Sequence, residues 1–193
     1  MKIDLHMHSN CSDGELTPEA LVARAKEAGL DAIALTDHDT IAGLARARCA
    51  AEHEGMTLIN GIEFSTRWGK IGVHVVGLGL SADSAELQQA IAAQQQARID
   101  RNLTIAGKLE KLGARNIYQR ATELAGGSQI GRPHFAQLLV EDGLVKTVAS
   151  AFKKYLGAGK VGDIKQQWPS LDEIVATILA AGGVAVLAHP AKY

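Results

Sequence analysis

Residues 4–14 read DLHMHSNCSDG, and this stretch joins the first predicted β-strand to a polar loop. Apolar residues occupy every second position over residues 3–7, which is typical of a half-buried strand. Side chains two positions apart on a strand point the same way, so His6 and His8 should project side by side, close enough to bind one ion. The letters SNCSDG favour a turn and place Asp13 in a loop just beyond the strand. Neutral imidazoles with a carboxylate suit zinc, manganese or iron; the alternative is a pair of partly exposed histidines that bind nothing.

The composition indicates a globular protein. The 193 residues are 47% hydrophobic and 21% charged, which suffices for one substantial domain or one domain with an insertion. A formal net charge of −1 provides no bulk attraction to long nucleic acids or to anionic membranes. No signal peptide opens the chain, and no apolar run reaches the roughly 18 residues of a membrane span. The two cysteines, Cys11 and Cys49, do not make a disulfide framework. We therefore expect a cytoplasmic protein with no membrane partner, and its oligomeric state stays open.

The segments after the first loop predict alternating helices and strands. TPEALVARAKEAG predicts a helix with Thr17 as its N-cap, Pro18 at its first position and Gly29 as its stop. DAIALTDHDT, residues 31–40, is a short apolar run that ends in polar residues. This pattern indicates a buried parallel strand with His38 at its carboxyl end, and the aspartates on either side of this histidine are alternatively caps of the next helix.

The same alternation continues further along the chain. We predict a helix over residues 41–54, a third strand over 56–65 that delivers Glu63, and a fourth strand over 72–80 that carries His74. Strands that alternate with helices are typical of βαβ units and a parallel sheet.

The middle of the chain is predicted to be almost entirely helical. The predicted helices cover residues 84–113, 116–125, 133–142 and 147–156. Ser170 then caps a helix that ends near residue 181, and GGVAVLAHP predicts another buried strand that ends on His189. We interpret residues 1–100 as the first part of an α/β domain, 101–169 as a helical insertion, and 170–193 as the resumption of the α/β domain.

Polar residues recur at the carboxyl ends of the predicted strands. The residues in question are His6, His8, Asp37, His38, Glu63 and His189. An α/β barrel or an open α/β sheet builds its active site at this edge. A single histidine in a strand is more often a core residue than a ligand, but the whole set favours one shared metal site.

Six motifs in this order resemble the polymerase-and-histidinol-phosphatase (PHP) family of metal-dependent phosphoesterases. The motifs are DLHMHSNCSDG, ALTDHDT, GIEFS, GVHVVGLGL, GRPHFA and LAHP. The closer similarity is to the bacterial branch of 3′,5′-nucleoside bisphosphate phosphatases, whose members also trim short RNAs from the 5′ end. The resemblance implies a distorted (β/α)₇ TIM-like barrel with three divalent metal ions, often manganese, with iron or zinc as alternatives.

The resemblance also implies roles for individual residues. His6 and His8 match ligands of the first metal, and Glu63 matches a carboxylate that bridges the first and second metals. His74 and His189 match ligands of the second metal. Asp13 and His38 match ligands of the third metal. His134 resembles a residue on the substrate side and Arg132 a phosphate contact. His134 or His189 is expected to protonate the leaving oxygen. Within the predicted insertion, Arg101 and Lys160 are candidates for binding a second phosphate, although a solvated basic face is the alternative.

One feature departs from the family pattern. PHP proteins usually have a late Asp-x-His motif that supplies an aspartate to the first metal and a histidine to the third, and no Asp-x-His follows His38 here. A barrel of this kind typically takes about 250 residues. We therefore expect the barrel to be incomplete at the carboxyl end of this chain.

The expected activity is removal of the 3′ phosphate from nucleoside 3′,5′-bisphosphates, leaving the 5′-monophosphate, with trimming of short RNA 5′ ends as a possible further activity. One alternative is another hydrolase of the PHP or amidohydrolase type, acting on histidinol phosphate or an amide. The other is a degenerate PHP module without catalysis.

Overall fold

The computed structural model describes residues 1–164 and 168–193, and the chain divides into two compact units. The first unit comprises Met1–Gln95 and Trp168–Tyr193, and the second comprises Gln96–Gln167. The predicted insertion, residues 101–169, overlaps the second unit, and residues 165–167 of that prediction lie outside the described residues.

The first unit is an α/β fold built on a five-stranded mixed sheet with the strand order β1-β2-β3-β4-β5. The strands are β1 (Ile3–Met7), β2 (Ala32–Leu35), β3 (Thr57–Trp68), β4 (Ile71–Leu78) and β5 (Val184–Leu187). The helices along the chain are α1 (Pro18–Glu27), α2 (Leu44–His53), α3 (Ala85–Glu110), α4 (Ile117–Ala125), α5 (Arg132–Glu141), α6 (Val148–Ala151) and α7 (Leu171–Ala180). A π-helix covers Phe152–Leu156, and a 3₁₀ turn covers Pro190–Lys192.

The fourth strand corrects the prediction of a parallel sheet. Strands β1, β2 and β3 are parallel, whereas β4 is antiparallel to both β3 and β5. Only Gly69 and Lys70 separate β3 from β4, and a parallel pairing would need a crossover of about a dozen residues. β3 serves both arrangements, because residues 57–60 pair with β2 and residues 61–68 pair with β4.

The last strand is also less buried than the sequence predicts. Val184 is 64% exposed, Val186 45% and Leu187 46%. In the described sheet β5 pairs only with β4 and forms an edge, so an apolar run that reads as a core strand has one open side. The prediction of a buried strand here is wrong.

Local signals fix the ends of the helices around the sheet. The Thr17 hydroxyl accepts a hydrogen bond from the Ala20 amide, and Pro18 opens α1, as predicted. Gly29 ends the turn after α1 with a φ of 75°, a conformation that glycine adopts without strain. Ser170 and Glu173 form a capping box at the start of α7, so this predicted cap is also confirmed.

Two apolar clusters hold the first unit together. One lies between α1, α2 and β2 and includes Leu21, Val22 and Ile33. The other packs α7 against β3 and β4 through residues such as Phe64 and Ile178. Because strand side chains alternate, the face of β3 opposite this second cluster is left for Glu63.

The second unit is helical and has its own core. The buried residues of that core include Ile105, Leu109, Ile117, Phe135 and Leu139. Within the described part of the chain, none of the helices combines the length and the apolar character that a membrane crossing requires.

Candidate metal centre

The Glu63 carboxylate is the centre of a cluster of histidines, and its side chain is 1% exposed. Its Oε2 atom lies 2.9 Å from His6 Nε2 and 3.0 Å from His8 Nε2. His38 approaches the same oxygen at 3.5 Å through Nδ1. The parallel part of the sheet explains this grouping, because these histidines come from the end of β1 and from the segment after β2, and β2 lies between β1 and β3.

The other oxygen of Glu63 has a separate set of partners. Oε1 lies 2.9 Å from His74 Nδ1 and 3.2 Å from His189 Nε2. His74 sits opposite Ser65 on the antiparallel strand β4, which makes it a diagonal neighbour of Glu63 on the same face. His189 follows β5 in a left-handed conformation with a φ of 34°.

The loop after β1 brings Asp13 to the same place. Asp13 Oδ1 lies 3.6 Å from His8 Nδ1, and its Oδ2 lies 3.6 Å from His38 Nε2. The turn folds back closely, because a Cβ atom added at Gly14 would sit 2.3 Å from the carbonyl oxygen of His8. Glycine at this position is therefore required for Asp13 to face the histidines.

These side chains form three overlapping groups in which one potential ligand atom from each residue lies within 4.8 Å of the others. The groups are His6–His8–Glu63, His8–Asp13–His38 and His38–Glu63–His74. A neutral imidazole offers one lone pair, so a histidine shared by two groups serves one ion at a time, whereas Glu63 offers two oxygens. Among the described side chains, His8 Nδ1 and His38 Nδ1 are buried without a hydrogen-bond partner, which suits atoms that meet a cation. The imidazole and carboxylate donors thus fit divalent transition metals.

The electrostatics of the cluster keep Glu63 ionised. Burial alone would raise the pKa of Glu63, but hydrogen bonds from His74 and His8 and the attraction of His38 outweigh burial, so the pKa lies well below its usual range. Burial lowers the pKa of His38 to about 4, against the pull of Glu63. A neutral His38 is the form that binds a metal.

The pKa values of two other histidines shift in opposite directions. Burial opposes the charged form of His8, but the hydrogen bond and charge of Glu63 together with Asp13 raise its pKa overall. Burial is the main cause that lowers the pKa of His189. Protons and cations therefore compete more strongly at His8 than at His189.

The aspartates on either side of His38 do not face the cluster as ligands. The Asp37 carboxylate accepts hydrogen bonds from Ser9 and Ser12, and the Asp39 carboxylate accepts them from Ser65. The reading of these two aspartates as caps of the next helix is wrong as well, because α2 begins at Leu44 after Gly43.

Tyr193 is a site residue that sequence reasoning missed. Its hydroxyl accepts a hydrogen bond from the backbone amide of His74 at 2.9 Å and lies 3.2 Å from His189 Nδ1. The only signal in the sequence is its place four residues after His189, within reach of one helical turn.

The predicted substrate residues Arg101, Arg132, His134 and Lys160 all belong to the second unit, whereas the predicted metal ligands all belong to the first. Arg132 is half-buried and donates from Nη1 to the carbonyl of Leu156, the last residue of the π-helix. Burial lowers the pKa of Arg132, and the nearby Arg98 adds to this effect.

The remaining substrate candidates differ in exposure. The Gly131 amide donates to His134 Nδ1 at 3.0 Å, so the proton of a neutral His134 is on Nε2. Arg101 is 6% exposed and donates from Nε to the Ile164 carbonyl, which ties part of its guanidinium to the fold of the second unit. Lys160 is exposed in the turn after the π-helix. Their contact with a substrate stays a prediction.

Comparison with known proteins identifies a family and several relatives. The PHP domain family matches residues 4–181. The chain is 44% identical over 192 residues to a 5′-3′ exoribonuclease of Haemophilus influenzae, covering 100% of this chain and 70% of that protein. It is 41% identical over 192 residues to the 3′,5′-nucleoside bisphosphate phosphatase of Chromobacterium violaceum, covering 99% of this chain and 67% of that protein.

A solved structure is also similar over the whole chain. It is an amidohydrolase from Chromobacterium violaceum with bound sulfate and no metal, and it superposes with a TM-score of 0.89 at 40% identity. The match covers 100% of this chain and 68% of that structure. The chain therefore spans about two thirds of the length of the proteins it matches.

Proposed function

This chain belongs to the PHP domain family, and we propose that it is a metal-dependent phosphatase that removes the 3′ phosphate of nucleoside 3′,5′-bisphosphates to give the 5′-monophosphate. The observation that carries the proposal is the buried Glu63 carboxylate, which has histidines on both oxygens. The similarity to a relative named for this reaction supports the choice of substrate. The full fold in this proposal is a distorted (β/α)₇ barrel, to which the described mixed sheet contributes.

The proposal includes three divalent metal ions, with Mn²⁺ as the preferred species. The proposed ligands are His6, His8 and Glu63 for the first, Glu63, His74 and His189 for the second, and Asp13 and His38 for the third. When bound, the cations supply charge neutralisation for the phosphate and activation of water at neutral pH. Glu63 would hold its two oxygens toward neighbouring sites, and its low pKa keeps it ionised throughout the physiological range.

The other residues act on the substrate in this proposal. His134, whose Nε2 is not engaged by the Gly131 amide, and His189 are the two candidates to protonate the leaving oxygen. Arg132, Arg101 and Lys160 would bind the phosphate groups by charge-assisted hydrogen bonds. The cytoplasm is the proposed compartment, which fits a nucleotide substrate and the free thiols of Cys11 and Cys49.

The test is release of phosphate from adenosine 3′,5′-bisphosphate by protein loaded with Mn²⁺, before and after a chelator is added. The proposal expects AMP and one equivalent of phosphate, with loss of release in chelator and recovery when Mn²⁺ is restored. Unchanged release in chelator would overturn the metal dependence. Absence of release from protein shown to bind Mn²⁺ would overturn the substrate assignment.

Relatives favour two other substrates, which the same assay can include. A relative named as an exoribonuclease favours short RNA, so a 5′-phosphorylated trinucleotide should yield mononucleotides from its 5′ end if the chain shares that activity. A similar structure named as an amidohydrolase favours an amide. Ammonia or a new carboxylate without free phosphate would then replace the phosphatase proposal.

A further inference from the structure

The segment Asp37–His38–Asp39 contains two buried carboxylates that make the same pair of hydrogen bonds. Asp37 accepts from the Ser9 backbone amide at 2.7 Å and from the Ser9 hydroxyl at 2.6 Å. Asp39 accepts from the Ser65 backbone amide at 2.7 Å and from the Ser65 hydroxyl at 2.8 Å. Asp37 is 1% exposed and Asp39 is 0% exposed. Each aspartate thus holds both donors of one serine, and we call each such pair a serine clamp.

The two serines lie beside metal-ligand candidates on different strands. Ser9 directly follows His8 at the end of β1, and Ser65 lies two residues after Glu63 on β3. The backbone repeats the connection, because the Asp39 amide donates to the Glu63 carbonyl at 3.0 Å and the Glu63 amide donates to the Asp37 carbonyl at 3.1 Å. The segment after β2 is therefore fixed to both neighbouring strands at the level of His38.

Protein donors already occupy three of the roughly four lone-pair positions of each aspartate carboxylate. Asp37 Oδ1 also accepts from the Ser12 hydroxyl at 2.7 Å, and Asp39 Oδ1 also accepts from Gln94 Nε2 at 2.9 Å. A metal ion that displaced one of these donors would leave it buried without a partner, which is unfavourable. The segment thus delivers one ligand, His38, between two carboxylates with other tasks.

We propose that Asp37 and Asp39 are positioning residues, whose serine clamps set the spacing of His8, His38 and Glu63 and thereby the metal affinity of the centre. This inference rests on the proposed metal-dependent function. The two clamps have separate effects. The Asp37 clamp orders the loop that carries Asp13, whereas the Asp39 clamp orders the strand segment that carries Glu63.

The backbone at Asp39 adds to the argument. Asp39 has a φ of 53°, in the left-handed region that is unfavourable for most residues other than glycine, although aspartate tolerates it better than most. The bonds to Ser65 and Gln94 hold it there. This conformation turns the chain directly after His38, so that the His38 side chain approaches Glu63 whereas the Asp39 side chain accepts from Ser65.

The experiment compares the deletion of three buried hydroxyls, two in the serine clamps and one beside them on β3. Ser65→Ala removes the hydroxyl of one clamp, and Ser9→Ala removes that of the other. Thr66→Val is the matched control, because Thr66 is 0% exposed and its hydroxyl donates to the Pro169 carbonyl at 2.9 Å, away from the clamps. Mn²⁺ affinity is measured by calorimetry without substrate, and the visible absorption of Co²⁺-loaded protein reports coordination geometry.

We expect both serine variants to bind Mn²⁺ about 10- to 100-fold more weakly, the usual effect of losing a group that orients a ligand. Their Co²⁺ spectra should change. Thr66→Val should lose thermal stability by a similar amount but keep wild-type affinity and spectrum. Wild-type affinity and spectrum in both serine variants would overturn the inference, whatever their stability.

A crystal structure of each metal-free variant tests the inference independently of metal binding. Ser9→Ala should displace Asp13 from its 3.6 Å approach to His38 and leave the Glu63–His74 contact in place. Ser65→Ala should lengthen the 3.5 Å approach of His38 to Glu63 and leave Asp13 in place. Unchanged distances in both variants would overturn the inference. Failure of the proposed function is distinguishable, because it would appear as wild-type protein that binds Mn²⁺ and releases no phosphate.

Discussion

The two oxygens of Glu63 differ in the groups that hold the histidines beside them. On the Oε2 side, His38 has a 17% exposed side chain, and the segment that carries it is fixed by two buried carboxylates. On the Oε1 side, His189 is 34% exposed, and the contact behind its ring is the hydroxyl of Tyr193, a residue that is itself 42% exposed. We call the Oε2 side, where two buried carboxylates anchor the segment of His38, the rigid half, and the Oε1 side the open half.

The sheet explains this difference. The Oε2 histidines come from the parallel part, where β1, β2 and β3 run side by side and their ends meet. The Oε1 histidines come from β4 and from the segment after β5, the edge strand of the described sheet. The junction of the parallel and antiparallel segments thus gives the two oxygens of Glu63 different neighbours.

The largest effect should come from removing the charge shared by both halves. Glu63→Gln keeps the shape but leaves an amide, whose nitrogen cannot bind a cation. Loss of a hydrogen-bond partner that orients a metal ligand lowers metal affinity about 10- to 100-fold. Loss of Glu63, the proposed shared ligand, should exceed that range and abolish phosphate release. Calorimetry with Mn²⁺ and the phosphate assay check this expectation. Glu86→Gln, an exposed substitution at the start of α3, is the control, and equal behaviour of the two variants would contradict a shared role for Glu63.

The rigid half should respond to Asp37→Ala in both stability and metal binding. The substitution leaves buried serine donors without an acceptor, which costs about 1–3 kcal/mol of the free energy of unfolding. Urea unfolding of the metal-free protein measures this loss. An unchanged midpoint would show that Asp37 does not anchor the Oε2 side.

The open half should respond to Tyr193→Phe in metal binding but hardly in stability. We expect Mn²⁺ affinity to fall by about 10-fold and the free energy of unfolding to change by less than about 1 kcal/mol. The same calorimetry and urea titration apply, with Tyr118→Phe in α4 as the matched control. A stability loss as large as that of Asp37→Ala would remove the contrast between the two halves.

The smallest effect on the free energy of unfolding should come from an exposed carboxylate, with which the effects of the buried carboxylates can be compared. Glu19 in α1 accepts two hydrogen bonds from Arg46 in α2, and the Arg46 guanidinium lowers the pKa of Glu19 to about 2. Because the folded-state pKa is depressed, the stabilisation is present above the unfolded pKa of about 4.5 and is lost as the pH falls toward 2. Solvent screening limits it to about 0.5 kcal/mol or less.

Urea midpoints of wild-type protein and Glu19→Gln at pH 7 and pH 3 measure this effect. The difference should be small at pH 7, shrink at pH 3 and disappear in 1 M salt, a concentration at which screening acts over about 3 Å. A difference that grows at low pH would have the wrong sign for a depressed carboxyl pKa.

The sequence predicted which side chains come together better than it predicted the frame around them. The spacing of His6 and His8, the turn that holds Asp13 and the cap at Thr17 follow from strand alternation and local turn chemistry, and each is local in the chain. The direction of β4 was predicted wrongly, because GVHVVGLGL has the same alternation in either direction. Only the two-residue connection from Trp68 to Ile71 decides it.

The tasks of Asp37 and Asp39 were not predictable for a related reason. A carboxylate beside a histidine has the composition of a metal ligand, and its actual role depends on which donors fold against it. Ser9 and Ser65 are 28 and 26 residues away from their aspartates along the chain. Hydrogen bonds between buried polar groups that are far apart along the chain form only when the sheet assembles, and no local sequence pattern predicts them.

The hairpin of β3 and β4 has a consequence for the order in which the site assembles. Glu63 and His74 are 11 residues apart, whereas Glu63 is 57 residues from His6 and 126 residues from His189. Hairpins close in about 1–10 μs, and contacts between distant segments form later because their loops cost more entropy. We expect refolding chains to join Glu63 to His74 first and to add His189 at a late step. Pulse-labelling hydrogen exchange would then show amide protection over residues 61–78 before protection over residues 184–189. Newly synthesised chains would therefore pass through a stage in which Glu63 and His74 can already bind a cation but the complete centre has not formed.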